Sequence, residues 1–146
     1  MGQGNDKVSI HIGDGFYTEI TVNGHTMVAD EPAGAGGTDK GPDPYGYLMG
    51  ALGSCTAMTL RMYADRKEWP LDSVTVRLKH GKTYAKDCGN CETETGKIDH
   101  IEREIEMEGA LSANQREKLM EIANKCPVHR TLTSETVIED LTPARN

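Results

Sequence analysis

Four cysteines carry the chemistry open to this chain: Cys55, Cys126, and the pair in Cys88-Gly89-Asn90-Cys91. A thiolate is the form that attacks peroxides and disulfides and binds metals, so the surroundings of each cysteine decide its role. Cys55 stands inside a run from Pro44 to Leu60 that contains no charge. Cys126 directly precedes Pro127. Proline is favoured as the first residue of a helical turn, so a turn through Val128 to Leu132 places Cys126 at the N-cap, facing unpaired backbone amides that stabilise a thiolate. No local motif joins the two residues. A buried free cysteine serves most often as a small hydrophobe, and that reading stands for either one; the N-cap position shifts the balance toward a thiol pair.

The Cys88-x-x-Cys91 spacing suits zinc, a disulfide or a redox dithiol. His80 and His100 on the flanking segments are expected to face each other across a strand ladder, yet only two ligands are local. A metal at Cys88 and Cys91 is therefore not favoured, and an exposed pair without a ligand is the expectation. Arg103 is the only charge on the inner face of its strand. It either lowers the pKa of a nearby thiol or buries its stem and extends its head to the edge. His129 and Arg130 are equally open, as neighbours of Cys126 or as a solvated face.

The elements that must position these groups follow from periodicity. Tyr45, Leu48, Leu52, Cys55, Thr59 and Met62 recur at steps of three and four, the stripe of a long helix from Asp43 to Arg66, with Asp43 as cap and Pro44 in the first turn. Gly46, Gly50, Gly53 and Ala57 form a second stripe that admits close approach, so burial on more than one side is expected. Val8 to Asp30 reads as a three-stranded meander turning at Gly13-Asp14-Gly15 and Asn23-Gly24. Ala33 to Gly41, with four glycines, reads as a flexible connection. Val74, Val76, Leu78 and His80 alternate with polar residues, as do Ile101, Arg103, Ile105 and Met107, giving a long hairpin with a loop from Ala85 to Gly96. Ser112 and Gln115 have capping-box spacing ahead of a helix with Leu119, Met120, Ile122 and Ala123 on its apolar face. Val137 to Leu141 is expected to be a closing strand.

At 146 residues the chain fits one domain, 1–146, with no internal boundary. Sixteen Lys and Arg against 23 Asp and Glu give a net charge of −7, which opposes affinity for nucleic acid or anionic membranes. Met1 to Lys7 lacks the apolar core of a secretory signal, and the Pro44 to Leu60 run is short and glycine-rich for a bilayer span. A soluble, cytoplasmic protein is expected, whose cysteines are redox or metal groups rather than a disulfide framework.

Gly41-Pro42-Asp43-Pro44 leading into Leu52-Gly53-Ser54-Cys55-Thr56-Ala57, with Lys125-Cys126-Pro127-Val128-His129-Arg130-Thr131-Leu132 downstream, resembles the OsmC/Ohr family of hydroperoxide-reducing proteins. The Cys88 to Cys91 loop resembles a less studied OsmC-like branch close to the YhfA proteins. The resemblance implies an α+β fold, with antiparallel curved sheets around a long buried central helix in an intertwined homodimer. It implies Cys55 as the peroxidatic thiolate and Cys126 as the resolving thiol, with organic hydroperoxides as substrate, a dithiol as reductant and no cofactor. The family glutamate ten residues before the first cysteine corresponds here to Tyr45, and no arginine precedes Arg61, so Asp43, Arg103, His129 and Arg130 are the candidate thiolate stabilisers. Two classes of function follow: a thiol peroxidase of the oxidative and osmotic stress response, or a non-catalytic dimer that binds an apolar ligand or a metal.

Overall fold

The computed structural model describes residues 7–89 and 91–143. It divides into two compact units after Gly50. In the first, β1 (Val8–Ile12), β2 (Thr18–Val22) and β3 (His25–Ala29) form an antiparallel sheet in that order. Asn23 and Gly24, both at positive φ, make the tight β2–β3 turn that their sequence predicts. All of β1 is exposed, including Val8, Ile10 and Ile12.

The connection after β3 is not loose. Asp30, only 2% exposed, accepts from the amides of Glu31, Thr38 and Lys40 and from the Thr38 hydroxyl. Ala33–Ala35 makes a single 3-10 turn within the tied segment. Glycine-rich composition suggested flexibility; one buried carboxylate with four donors overrides it.

The division falls within α1 (Pro44–Lys67), which starts where expected, with Asp43 Oδ1 accepting from the Gly46 amide at 2.8 Å. In the second unit β4 (Ser73–Tyr84) and β5 (Lys97–Glu108) form the long antiparallel hairpin. Val74, Val76 and Leu78 of β4 share their face with Ile101, Arg103, Ile105 and Met107 of β5, while Glu102, Glu104, Glu106 and Glu108 point to solvent. The capping box at Ser112 and Gln115 opens α2 (Ala113–Ala123), and Cys126 caps α3 (Pro127–Thr133).

The second unit holds two apolar clusters. Leu60, Ala64, Leu71, Leu119, Ile122 and Ala123 form one, joining α1, α2 and the β4 approach. Leu52, Cys55 and Cys126 form the other, packed by Leu78, Ile101 and Val128. The buried face of α1 is thus Leu52, Gly53, Cys55, Thr56, Leu60 and Ala64. Within the single chain this is one side only, since Tyr45, Met58 and Met62 are more than half exposed.

Two further expectations are corrected. Residues 137–141 form no strand, and Val137, Ile138 and Leu141 are at least 80% exposed, because an apolar run becomes a strand only where an edge pairs with it. His80 stands opposite Ile101 and His100 opposite Gly81. With a side-chain period of two, that register points the histidines to opposite faces. Among the described residues, no helix is long and apolar enough to cross a membrane.

Candidate active site

The two cysteines far apart in sequence meet in space. α1 delivers Cys55 from its inner stripe, and the α2–α3 junction delivers Cys126, which is fully buried. The Cys55 thiol hydrogen-bonds Cys126 Sγ and accepts from the Val128 amide. Thr59 lies one turn further along α1, and its buried Oγ1 has no hydrogen-bond partner among the described residues. Cys126 Sγ accepts from the His129 amide at 3.5 Å, as its N-cap position requires.

The electrostatics divide between the two sulfurs. Burial pushes the Cys55 thiol above its ordinary range, and Cys126 pushes it the same way through its hydrogen bond and its charge; the Val128 amide acts in the opposite direction. Arg103 turns inward. Its guanidinium donates to Thr56 Oγ1 at 3.0 Å, to Asn124 Oδ1 at 2.9 Å and to Ala123 O at 3.4 Å. Burial lowers the pKa of Arg103 from its ordinary value. Burial, then Arg103, depresses the His129 imidazole, whose Nδ1 is buried and finds no partner among the described residues.

Of the residues singled out by sequence, the structure gathers Cys55, Cys126, Arg103 and His129. Asp43 serves as the α1 cap, and the Arg130 side chain is exposed while its amide donates to Cys126 O. Cys88 and Cys91 are joined in a disulfide with a Cα–Cα distance of 5.6 Å, so the pair is neither open nor a ligand set. No group of three or more His, Cys, Asp and Glu able to hold a metal occurs among the described residues. Sequence reasoning missed Thr56 and Asn124. The spacing Leu52, Thr56, Leu60 puts Thr56 on the buried face of α1, and that signal was available; nothing in the sequence distinguishes Asn124.

Residues 37–139 match the model of a family described as OsmC-like protein. No curated protein matches the chain. Among solved structures, an OsmC-like protein from Mycoplasma pneumoniae is 16% identical, with a TM-score of 0.70 over 90% of this chain and 89% of that one. The organic hydroperoxide resistance protein OsmC from Legionella pneumophila is 19% identical, with a TM-score of 0.64 over 91% and 92%. An organic hydroperoxide resistance protein from Elizabethkingia anophelis, with thiocyanate bound, is 15% identical, with a TM-score of 0.66 over 90% of each chain. At these identities the likeness is one of fold.

Proposed function

This chain belongs to the OsmC-like protein family, and from that membership we propose that it is a thiol-dependent peroxidase that reduces organic hydroperoxides. Cys55 is the attacking thiol and Cys126 the resolving one. The observation that carries the reading is the hydrogen bond between these two thiols inside an apolar cluster. A thiolate cleaves the peroxide O–O bond and becomes a sulfenic acid, which condenses with a second thiol to a disulfide; an external dithiol then restores both. Leu52, Leu78, Ile101 and Val128 around the pair suit the alkyl part of an organic hydroperoxide.

In this reading residues 1–146 act as one OsmC-like domain, in a cytoplasmic homodimer serving the stress response. The exposed apolar residues of β1, together with Val137, Ile138 and Leu141, support a partner subunit, since large exposed apolar patches mark interaction surfaces. One observation favours a second reading. Burial holds Cys55 toward its protonated form, as suits a packing thiol in a non-catalytic dimer that binds an apolar ligand.

One equivalent of tert-butyl hydroperoxide separates the two. The peroxidase reading expects an intramolecular Cys55–Cys126 disulfide by peptide mapping, and peroxide consumption that stops with Cys55→Ser. Consumption should persist in the Cys88→Ser, Cys91→Ser double variant, because that disulfide lies at the hairpin loop. A Cys55 that stays a free thiol at every pH in the folded protein would establish the ligand-binding reading instead.

A further inference from the structure

Cys88 and Cys91 are the two cysteines that the peroxide chemistry does not use, and they lie at the far end of the β4–β5 hairpin. Their disulfide bridges a separation of 3 positions. Cys91 is exposed and Cys88 partly buried, and neither belongs to an apolar cluster. The base of the loop is closed without them. β4 and β5 pair as far as Tyr84 opposite Lys97. The Ala85 amide then donates to Gly96 O at 2.8 Å, and Ala85 itself is buried. The ammonium groups of Lys86 and Lys97 lie 5.7 and 5.2 Å from the centre of the Tyr84 ring. A cross-link over so short a loop removes little entropy from the unfolded chain, because that effect grows with loop length.

A disulfide that holds little of the fold and stands within reach of solvent is open to thiolate attack, and exposed disulfides are the labile ones. We propose that Cys88 and Cys91 form a second redox centre, a surface dithiol that exchanges with thiols and disulfides of other molecules and works apart from Cys55 and Cys126. The hairpin keeps the two pairs separate. Leu78 and Ile101 border the buried pair, and from Leu78 to Tyr84 the strand runs about 20 Å, at ~3.3 Å per residue, before the loop begins. Exchange needs sulfurs in contact, so the two pairs of one chain do not exchange directly. The inference goes beyond the peroxidase reading and does not rest on it.

In the oxidised centre an external thiolate attacks Cys91, the more exposed of the two residues. The bond between the two protein sulfurs breaks, and Cys88 leaves as a thiolate that takes a proton from water. A second external thiolate attacks the external sulfur of the mixed disulfide and releases Cys91, which is protonated in turn. Two external thiols thereby become one disulfide, and the centre gains two electrons and two protons. The reverse runs from the reduced centre. Cys91 as thiolate attacks a disulfide on another molecule, and Cys88 resolves the mixed disulfide and closes the ring. The exchanging group is thus a thiol or disulfide, carried either by a small molecule such as glutathione or by a protein.

The unmodified chain is equilibrated without oxygen in graded ratios of reduced to oxidised glutathione, or with a protein dithiol such as thioredoxin, then alkylated and mapped by mass spectrometry. Cys88 and Cys91 should pass from a disulfide to two alkylated thiols while the circular dichroism stays native. Reduction by glutathione assigns the centre to small thiols, and reduction by thioredoxin alone assigns it to a protein partner. With Cys88→Ser, oxidised glutathione should form a mixed disulfide on Cys91 on the order of tenfold faster than it does on Cys88 in the Cys91→Ser chain, as access to the attacked sulfur dictates. A bond that neither reductant opens until the chain unfolds is a staple and overturns the proposal. So does a reduction that strips the β4 and β5 amides of their hydrogen-exchange protection. Equal or reversed rates in the two single variants overturn the assignment of Cys91 as the attacked residue. Because mapping reads each pair separately, a chain that fails to reduce hydroperoxides still tests this centre.

Discussion

Arg103 on β5 donates to Thr56 Oγ1 on α1 at 3.0 Å, which ties the hairpin to the residue directly after Cys55. The same hydroxyl donates to Leu52 O at 2.7 Å, so one buried oxygen both gives and receives. This polar link lies between the cluster around Leu60 and Leu119 and the cluster around Leu52, Cys55 and Cys126. It lets a guanidinium enter this seam with three hydrogen bonds, to Thr56 Oγ1, Ala123 O and Asn124 Oδ1.

Thr56→Val keeps the shape of that side chain and removes both bonds. Because one of them serves a charged donor in a fully buried place, the expected loss of stability is about 1–3 kcal/mol, while Thr56→Ser should lose much less. Urea unfolding measures both. A Thr56→Val chain as stable as the unmodified one would mean that Arg103 finds another acceptor at no cost.

Much of this arrangement is legible in the residues themselves. The three- and four-residue steps of α1, the alternation of β4 and β5, the capping box at Ser112 and the Pro127 turn each act locally, so local patterns identify them. The inward turn of Arg103 is different. Alternation places it on the inner face, but whether its head reaches the edge or stays inside depends on Thr56 and Asn124, 47 and 21 positions away. The His80 and His100 register was misjudged because a slip of one residue reverses a side chain's face. The 137–141 segment has strand composition without a described edge to join, and no local pattern reports on that.

Asp30 gives the first unit a dependence on acid. Its carboxyl is lowered from 3.8 to about 2, chiefly by the Thr38 hydroxyl and then, against the effect of burial, by the Glu31, Lys40 and Thr38 amides. The folded chain therefore binds this proton more weakly than the unfolded one. Its contribution is complete above pH ~4 and is lost as pH falls through about 2. Hydrogen exchange at the Thr38 and Lys40 amides should accelerate over that window relative to the β2–β3 amides. Asp30→Ala should show the faster exchange already at neutral pH, and equal protection in the two chains would remove Asp30 as the anchor.

The homodimer can be tested at Gly50. A Cβ there meets nothing within 4 Å in the single chain, so Gly50→Leu disturbs no described contact. Relief of the glycine penalty should even stabilise the isolated helix by up to about 1 kcal/mol. If a second subunit covers this stripe, the same change overpacks the interface. Light scattering should then report a dimer for the unmodified protein and dissociation for Gly50→Leu. A stable monomer before any substitution ends the dimer reading.

The sharpest expectation concerns what happens to Cys55 when its neighbour is taken away. In the unmodified chain a sulfenic acid at Cys55 meets Cys126 within the same apolar cluster, and closure of the disulfide stops further oxidation. With Cys126→Ser that thiol is gone. Excess hydroperoxide should carry Cys55 on to the sulfinic acid, which dithiols do not reverse. Burial raises the Cys55 thiol, so its thiolate fraction, and with it the rate of the first oxidation, should climb as pH rises through and beyond the free-thiol value of about 8.5. By the same sign, folding favours the protonated thiol: this contribution to stability is whole below about pH 8.5 and is lost as pH rises toward the higher folded-state value. Mass spectrometry of the Cys55 peptide across that range reads both outcomes, as the yield of sulfinic acid and as its rate of appearance. A Cys126→Ser chain that turns over hydroperoxide with a dithiol as fast as the unmodified chain and gathers no sulfinic acid would show that Cys126 does not resolve Cys55.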